Sequence, residues 1–454
     1  MYQKSLFSKN IQEMKKIKKT DFDSIIIAGG KGTRLNSTLN NPKVLINLKK
    51  NTTLLDVLID NFKRYKVSSA TILAGQNAHV IEKYCNKIKN KNLKIEIIKE
   101  QKLLGTAGCL SKLNYNNLQN DLLIIFGDIL TNFDISLFYK KHFSSNADVT
   151  IFSHPSSHLM DSDILDIDDK NIVKNILFKP HKKDMISNNL SMAGIFFIKK
   201  KLLKLIPKNK KFDFSKDFLK LIIKKNYKIL SYQSREYCAD IGTFKRLTKG
   251  KKDLKDLKLN YFDIHNKIPA IFLDRDGVIN NDDGPLKYSN PLNFIKGSLK
   301  GLQQLRKSKY LIFLITNQGA IAKGLISFES VIESHKKFET YLSTKNFHFE
   351  KIYFCPHHPM KGYLGENKKY KIVCECRKPK PGLIFKAQKE FNIDLKNSYF
   401  IGDQLTDFLV AKNAGIKIIM VKKLSNKLKG YTYKKNLLEA VNYIFQNDHL
   451  KNTI

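Results

Sequence analysis

Residues 270–280 read AIFLDRDGVIN. Ala270 to Leu273 are apolar enough for a strand buried on both faces, and the chain then passes at once into Asp274-Arg275-Asp276-Gly277. Carboxylates placed there stand at the carboxyl end of a strand, where open α/β sheets bind their ligands. Two carboxylates one residue apart cannot sink into a core without partners, because an unpaired buried charge is too costly. They require a cation, and one of them is left to act on a substrate.

The same arrangement recurs downstream. Apolar runs at 270–274, 311–317, 351–355, 398–403 and 416–421 alternate with helical patterns, as in a mostly parallel sheet. Thr316-Asn317-Gln318 ends the second run, and Arg377-Lys378-Pro379 follows a cysteine pair. Gly402-Asp403 ends a later run, with Asp407 four residues on. Asp274 can attack phosphorus and form an aspartyl-phosphate. Asp276 can protonate the leaving oxygen and then deprotonate the water that hydrolyses the intermediate. Thr316 and Asn317 can hold phosphate oxygens, while Lys378 offsets charge on the phosphoryl group and the nucleophile. Asp403, with Asp274 and the backbone carbonyl of Asp276, would supply oxygens to Mg²⁺. Asp407 suits a helix N-cap as well as a ligand.

Of the six cysteines, Cys355, Cys374 and Cys376 cluster with histidines in Cys355-Pro356-His357-His358-Pro359 and Cys374-Glu375-Cys376. Three sulfurs and an imidazole suit a closed tetrahedral Zn²⁺ site, which is structural rather than catalytic. The expected ligands are Cys355, His357, Cys374 and Cys376, with His358 as the competing imidazole. Such a site would staple a long polar loop and anchor Arg377 and Lys378.

The first half shows a second alternating series, with apolar runs at 24–29, 70–75, 94–100, 122–128, 148–153 and 193–200. Ile27-Ala28-Gly29-Gly30-Lys31-Gly32-Thr33-Arg34-Leu35 follows the first run. Glycines let the backbone approach phosphates and present amides to them. The spacing is neither the dinucleotide G-x-G-x-x-G nor a P-loop. A lysine-rich stretch then separates the two series. The fold class expected is α/β, with two doubly wound domains: a basic lead-in at 1–22, a first domain at 23–248, a linker at 249–268 and a second domain at 269–454.

The chain has 454 residues, 42% of them hydrophobic, and a formal charge of +40. Only seven of its 81 basic residues are arginines, and no nucleic-acid motif accompanies them. The excess is read as a solvated lysine surface rather than a groove-reading one. No stretch is long and apolar enough to span a bilayer, and the basic N-terminus lacks the apolar core of a signal peptide. A cytoplasmic enzyme is expected, with no nucleic-acid partner.

DRDGVIN, TNQ, CPHHP and CECRKPKPG, over about 269–425, resemble the haloacid dehalogenase superfamily. Within it they resemble D-glycero-D-manno-heptose 1,7-bisphosphate 7-phosphatases and the related histidinol-phosphate phosphatases. The resemblance implies that Arg377 and Lys378 grip substrate phosphates. Gly319-Ala320 stands where the heptose enzymes often have Ser-Gly. Over about 23–248, the AGG-x-GTRL segment resembles the signature of sugar-1-phosphate nucleotidyltransferases. Pro42-Lys43, Gly105-Thr106-Ala107-Gly108, Gly127-Asp128 and Asp240-Ile241-Gly242-Thr243 follow in that family's order.

That second resemblance implies a Rossmann-like domain in which a sugar 1-phosphate attacks the α-phosphorus of a nucleoside triphosphate. Ala28, Gly29, Gly30, Gly32, Thr33 and Gly105 would line the nucleotide. Arg34 and Lys43 would offset anionic charge, and Asp128 and Asp240 would hold Mg²⁺. Lys179 matches a lysine that contacts the sugar phosphate, although Phe178 replaces the acidic residue before it and Met192 an asparagine further on. Glu100 can accept from guanine N1–H and the 2-amino group, a donor pair that adenine and uracil lack, which favours GTP. Joined on one chain, the two resemblances imply consecutive steps: removal of the 7-phosphate, then nucleotidyl transfer to the heptose 1-phosphate. The alternative is a histidinol-phosphate phosphatase fused to a nucleotidyltransferase of another sugar.

Overall fold

The computed structural model describes residues 21–30, 42–75, 77–88, 93–156, 158–182, 184–284, 292–425 and 428–447. They fall into two compact units. The first draws on 1–153, 167–176 and 192–263, and the second on 154–166, 177–191 and 264–454.

The first unit is built on strands β1 (Phe22–Ala28), β2 (Ser69–Ala74), β3 (Lys94–Lys99), β4 (Asp121–Phe126), β5 (Ile129–Thr131), β6 (Val149–His154), β7 (Ser191–Lys199), β8 (Ile229–Gln233) and β9 (Cys238–Asp240). Its central run has the order β7-β4-β1-β2-β3. β1 pairs in parallel with β2 and β4, β2 with β3, and β7 runs antiparallel to β4. Ile25 and Ile26 in β1 and Leu122 to Ile125 in β4 are fully buried, as expected for parallel strands covered on both faces. Because β2 lies on one side of β1 and β4 on the other, the strand order reverses between β1 and β4. Their carboxyl ends deliver Gly29 and Asp128 to that crevice.

Helix α1 (Leu54–Arg64) starts with a capping box between Thr53 and Asp56, which satisfies two orphan N-terminal donors. It buries Leu54, Leu55, Leu58, Ile59 and Phe62, one stripe at helical spacing. The stretch expected as a linker is instead largely helical. Helix α2 (Phe244–Lys255) and a short turn at Lys258–Tyr261 belong to the first unit. The lysines misled because two of them are structural. Asp253 is buried, and Lys249 and Lys258 reach it at 2.7 and 2.6 Å.

The second unit contains β10 (Ala270–Leu273), β11 (Leu311–Asn317), β12 (Lys351–Cys355), β13 (Tyr399–Gly402), β14 (Lys417–Met420) and β15 (Thr432–Tyr433) in the order β12-β11-β10-β13-β14-β15. Every pairing is parallel. The order reverses between β10 and β13, so Asp274 and Asp403 emerge side by side at the switch point. Helices α3 (Phe328–Thr344), α4 (Gly382–Phe391) and α5 (Leu405–Ala414) flank the sheet's carboxyl-end loops in sequence. The core gathers Ile271, Leu273, Leu314, Phe338 and Ile401. Among the described residues, no helix is long and apolar enough to cross a membrane.

Candidate active sites

In the second unit the four motifs converge. Lys378 Nζ lies 2.9 Å from Asp274 Oδ1 and 2.7 Å from Asp407 Oδ1, and donates to Ile315 O at 3.2 Å. Asn317 fixes the backbone that presents this lysine: its Oδ1 accepts from Lys378 N–H, and its Nδ2 donates to Lys378 O. Asp407 is not the N-cap expected as one reading, since Gln404 holds that position; three residues on, its carboxylate accepts from the Asp403 and Gln404 N–H groups while pairing with Lys378. Burial pushes the Asp274 carboxyl up to about 7, with Lys378 opposing and Asp407 and Asp276 adding. Burial and then Asp407 push Asp403 up to about 6. Burial favours a neutral Lys378, but the Asp274 and Asp407 carboxylates outweigh it and keep the ammonium charged.

Asp274, Asp403 and Asp407 bring carboxylate oxygens within 4.8 Å of one another. Asp403 Oδ1 is buried and has no hydrogen-bond partner. Clustered carboxylates whose protonation is favoured by burial and by one another's charge, with one oxygen orphaned, fit a hard divalent cation. Gly277 (φ +82°) lets the chain pass here, because the Asp403 carboxylate occupies the place a Cβ would take. The Asp276 side chain is turned to Arg275 and Gln318. A cavity of about 300 Å³ opens over these groups, lined by Asp274, Asp276, Thr316, Asn317, Arg377 and Lys378 together with Asp282, Lys323, His358 and Gln404.

Beside it, Cys355, His357, Cys374 and Cys376 meet within 4.8 Å. Sulfur–sulfur separations run from 3.1 to 3.6 Å, and His357 Nδ1 lies 3.2 Å from Cys376 Sγ. These are too long for disulfides. They approach the ~3.8 Å separation that tetrahedral Zn–S bonds of ~2.3 Å impose. His358 is outside this cluster and lines the cavity. Arg377 donates to His357 O at 3.1 Å, so the cluster is tied directly to the cavity-lining Arg377 and Lys378 that follow Cys376.

The first unit holds a second constellation. The antiparallel pair β5–β9 sets Asp240 opposite Ile129, next to Asp128. Lys43 Nζ lies 3.3 Å from Asp128 Oδ2, and Arg246 Nη1 lies 2.7 Å from Asp240 Oδ2. A Cβ on Gly242 would stand 2.8 Å from Asp240 Oδ1, 3.4 Å from Lys43 Nζ and 3.5 Å from Asp128 Oδ2. Burial, then the Asp240 charge, pushes the Asp128 carboxyl up, with Lys43 opposing. Arg246 was not singled out in the sequence. Its place one turn after the Asp240 motif was the available signal.

Glu100 is buried; its Oε1 accepts from Leu104 N–H at 3.2 Å, and its Oε2 lies where a side chain on Gly29 would go. Burial pushes its carboxyl up, partly offset by that N–H. Gly105 (φ +82°) is pressed against the Phe212 carbonyl, where a Cβ would come within 2.7 Å, so it has a packing reason of its own. Lys179 is held by Asp161 and Asp163, all three in the second unit. Ala28 ends β1, with Gly29 and Gly30 following. Gly32, Thr33 and Arg34 lie outside the described residues.

Residues 23–256 match the nucleotidyl transferase family. The D-glycero-beta-D-manno-heptose-1,7-bisphosphate 7-phosphatase of Pasteurella multocida (strain Pm70) is 42% identical over 149 residues, 33% of this chain and 78% of that protein. The chain belongs to both families, nucleotidyl transferases and heptose-bisphosphate phosphatases. The phosphatase of the same name from Escherichia coli (strain K12) is 37% identical over 158 residues, 34% of this chain and 79% of that protein. Residues 375–432, which include Lys378 and Asp403, match the HAD-hydrolase-like family. Among solved structures, HddC from Yersinia pseudotuberculosis is 25% identical and covers 51% of this chain and 99% of its own, with a TM-score of 0.44. As a nucleotidyl transferase joined to a phosphatase, the chain carries two sites that handle phosphate.

Proposed function

We propose that the chain is a bifunctional enzyme of nucleotide-activated heptose synthesis. It removes the 7-phosphate from D-glycero-D-manno-heptose 1,7-bisphosphate, then joins the resulting heptose 1-phosphate to a nucleotide, GMP from GTP. Each activity is carried by its own domain: transfer by about 23–248, without the segments 154–166 and 177–191 that group with the second unit, and hydrolysis by 269–454. The observation that carries this reading is the buried Lys378 set between Asp274 and Asp407 at the sheet's switch point, in a chain of which 149 residues align at 42% identity with a phosphatase of that name.

In the hydrolytic site an Asp274 oxygen attacks phosphorus as the bond to the sugar oxygen breaks, and Asp276 gives that oxygen its proton. The Asp276 carboxylate then takes a proton from water as the water oxygen displaces Asp274 from phosphorus. Lys378 offsets negative charge throughout, and Thr316, Asn317 and Arg377 hold phosphate oxygens. Mg²⁺ would be held by Asp274, Asp403 and the Asp276 carbonyl, and supplies charge compensation when bound. Zn²⁺ at Cys355, His357, Cys374 and Cys376 has a structural task, fixing the loop that presents Arg377 and Lys378.

In the transfer site the sugar phosphate oxygen attacks the α-phosphorus and pyrophosphate leaves. Arg34 and Lys43 neutralise the approaching anions; Lys179, which belongs to the second unit, is not assigned to this site. Asp128 and Asp240 would hold a second Mg²⁺. Ala28, Gly29, Gly30, Gly32, Thr33 and Gly105 line the nucleotide. Glu100 selects guanine: Leu104 N–H uses one lone pair of Oε1 alone, which leaves acceptors on the carboxylate for the guanine N1–H and 2-amino donors. A need for nucleoside triphosphate puts the enzyme in the cytoplasm.

A substrate panel tests the reading. Phosphate release is measured from heptose 1,7-bisphosphate and from histidinol phosphate, and pyrophosphate release from heptose 1-phosphate with each of GTP, ATP, CTP and UTP. Preference for the heptose substrate and for GTP is expected. Preferential turnover of histidinol phosphate would overturn the pathway, and preference for another nucleotide would overturn the role of Glu100.

A further inference from the structure

The backbone after β10 turns back on itself. Ile279 and Asn280 N–H both donate to Arg275 O, at 2.9 and 3.0 Å, and Gly277 N–H donates to Asn280 O at 2.7 Å. Within this turn two neighbouring side chains meet rather than diverge. Arg275 Nε lies 3.0 Å from Asp276 Oδ1, and Arg275 Nη2 lies 3.4 Å from Asp276 Oδ2. Gln318 Nε2 reaches the same Oδ2 at 3.3 Å while donating to Thr316 Oγ1 at 2.8 Å. The Arg275 side chain is only 2% exposed. A guanidinium this deeply buried is desolvated at a cost that a carboxylate must offset. Here that carboxylate belongs to the acid–base residue, while the neighbouring Asp274 pairs with Lys378.

We propose that Arg275 is a positioning residue for phosphoryl transfer: its fork holds the Asp276 carboxylate in one orientation and stabilises the anion left when Asp276 has given up its proton. The inference rests on the aspartyl-phosphate reading above. A planar guanidinium engages both oxygens of a carboxylate and fixes its plane, which a point-charge ammonium does not. Asp276 Oδ2 takes donors from both Arg275 and Gln318, and the carboxyl so held carries the transferred proton. In the first step that proton passes to the leaving sugar oxygen as the phosphorus–oxygen bond breaks. In the second, the fixed carboxylate takes a proton from water as the water oxygen attacks the aspartyl-phosphate, releasing Asp274 and inorganic phosphate. Gln318 makes the arrangement asymmetric by adding a donor to one oxygen, and ties it to Thr316 in the phosphate-holding motif.

The test uses the full chain with Arg275→Met, Arg275→Lys and Asp276→Asn, and two substrates of different leaving-group quality. Nitrophenolate needs no proton to depart, whereas the sugar alkoxide does. With p-nitrophenyl phosphate, Arg275→Met is expected to show a burst of nitrophenolate stoichiometric with enzyme, followed by slow turnover. With heptose 1,7-bisphosphate its kcat is expected to fall about 100-fold, the lower range of acid–base contributions, with KM nearly unchanged. Arg275→Lys keeps the buried charge without the fork, so an intermediate burst is expected; it also decides the matter should Arg275→Met lose inhibition by orthovanadate, the probe for an intact site. If Asp276→Asn gives the burst but both Arg275 variants retain orthovanadate inhibition and give none, the inference is overturned and the aspartyl-phosphate reading stands. If Asp276→Asn itself gives no burst, that reading falls and the inference with it.

Discussion

Asp407 Oδ1 lies 2.7 Å from Lys378 Nζ, while Asp407 Oδ2 accepts from the Asp403 and Gln404 N–H groups. One carboxylate thus starts a helix and aims a lysine at Asp274. Both side chains are essentially unexposed, so truncating Asp407 leaves the buried Lys378 with Asp274 as its remaining carboxylate partner and takes the acceptor from the Asp403 and Gln404 N–H groups. Asp407→Ala is expected to destabilise the phosphatase unit by about 3 kcal/mol, read as a lowered unfolding midpoint. Lys378→Met is expected to cut phosphate release by about 10²–10³-fold, as loss of a principal charge-stabilising donor does. Unchanged phosphate release in Lys378→Met would remove this lysine from the chemistry.

The Cys355–His357–Cys374–Cys376 cluster makes a prediction about metal content. Metal analysis of purified protein is expected to find zinc stoichiometric with chain. Chelation, or Cys376→Ser, is expected to lower phosphate release at least about tenfold, because a closed site of this type contributes to local folding. Pyrophosphate release from supplied heptose 1-phosphate should persist. Protein that is zinc-free yet fully active as a phosphatase would contradict the structural role.

Much of this was legible in sequence for a physical reason. Parallel strands buried on both faces are unbroken apolar runs, so their ends, and the residues just beyond them, are visible: Asp274 after β10, Thr316 and Asn317 at the end of β11, Asp403 after β13. What was not legible is pairing over distance. Nothing in the local sequence says that Lys378 will meet Asp407, or that Arg246 will meet Asp240 on a three-residue strand. β5 and β9 are too short to show a period. The lysines of 249–258 look like a solvated tether, and only the fold reveals that two of them neutralise buried Asp253.

A pH effect on stability follows from Glu236 in the first unit. Its carboxylate is buried, accepting from Asp134 N–H at 2.7 Å and Ser234 Oγ at 2.8 Å. Burial outweighs those bonds and pushes its pKa up to about 7. A raised folded-state value means that the protonated form stabilises the fold. That contribution is complete below the unfolded value near 4.5 and is lost as pH rises through 7. Glu236→Gln keeps an acceptor for Asp134 and can donate to Ser234. The variant is expected to melt higher than the parent at pH 8, by the equivalent of up to about 3 kcal/mol, and to match it at pH 4.5. Equal melting at both pH values would show that ionised Glu236 is tolerated.

The two sites should be separable. Asp274→Asn is expected to abolish phosphate release from heptose 1,7-bisphosphate and leave pyrophosphate release from heptose 1-phosphate intact. Asp240→Asn, which removes a carboxylate paired with Arg246, is expected to do the reverse, lowering nucleotidyl transfer at least about 100-fold by loss of a metal-holding charge. Parallel assays of the two variants read this directly. Loss of both activities in either variant would contradict two independent sites.

The most direct measurement is ³¹P NMR of the intact chain with heptose 1,7-bisphosphate, GTP and Mg²⁺. Inorganic phosphate is expected first, then pyrophosphate together with the paired resonances of a sugar nucleoside diphosphate. An unchanged 7-phosphate signal, or phosphate release with GTP left intact, would contradict the claim that one chain performs both steps.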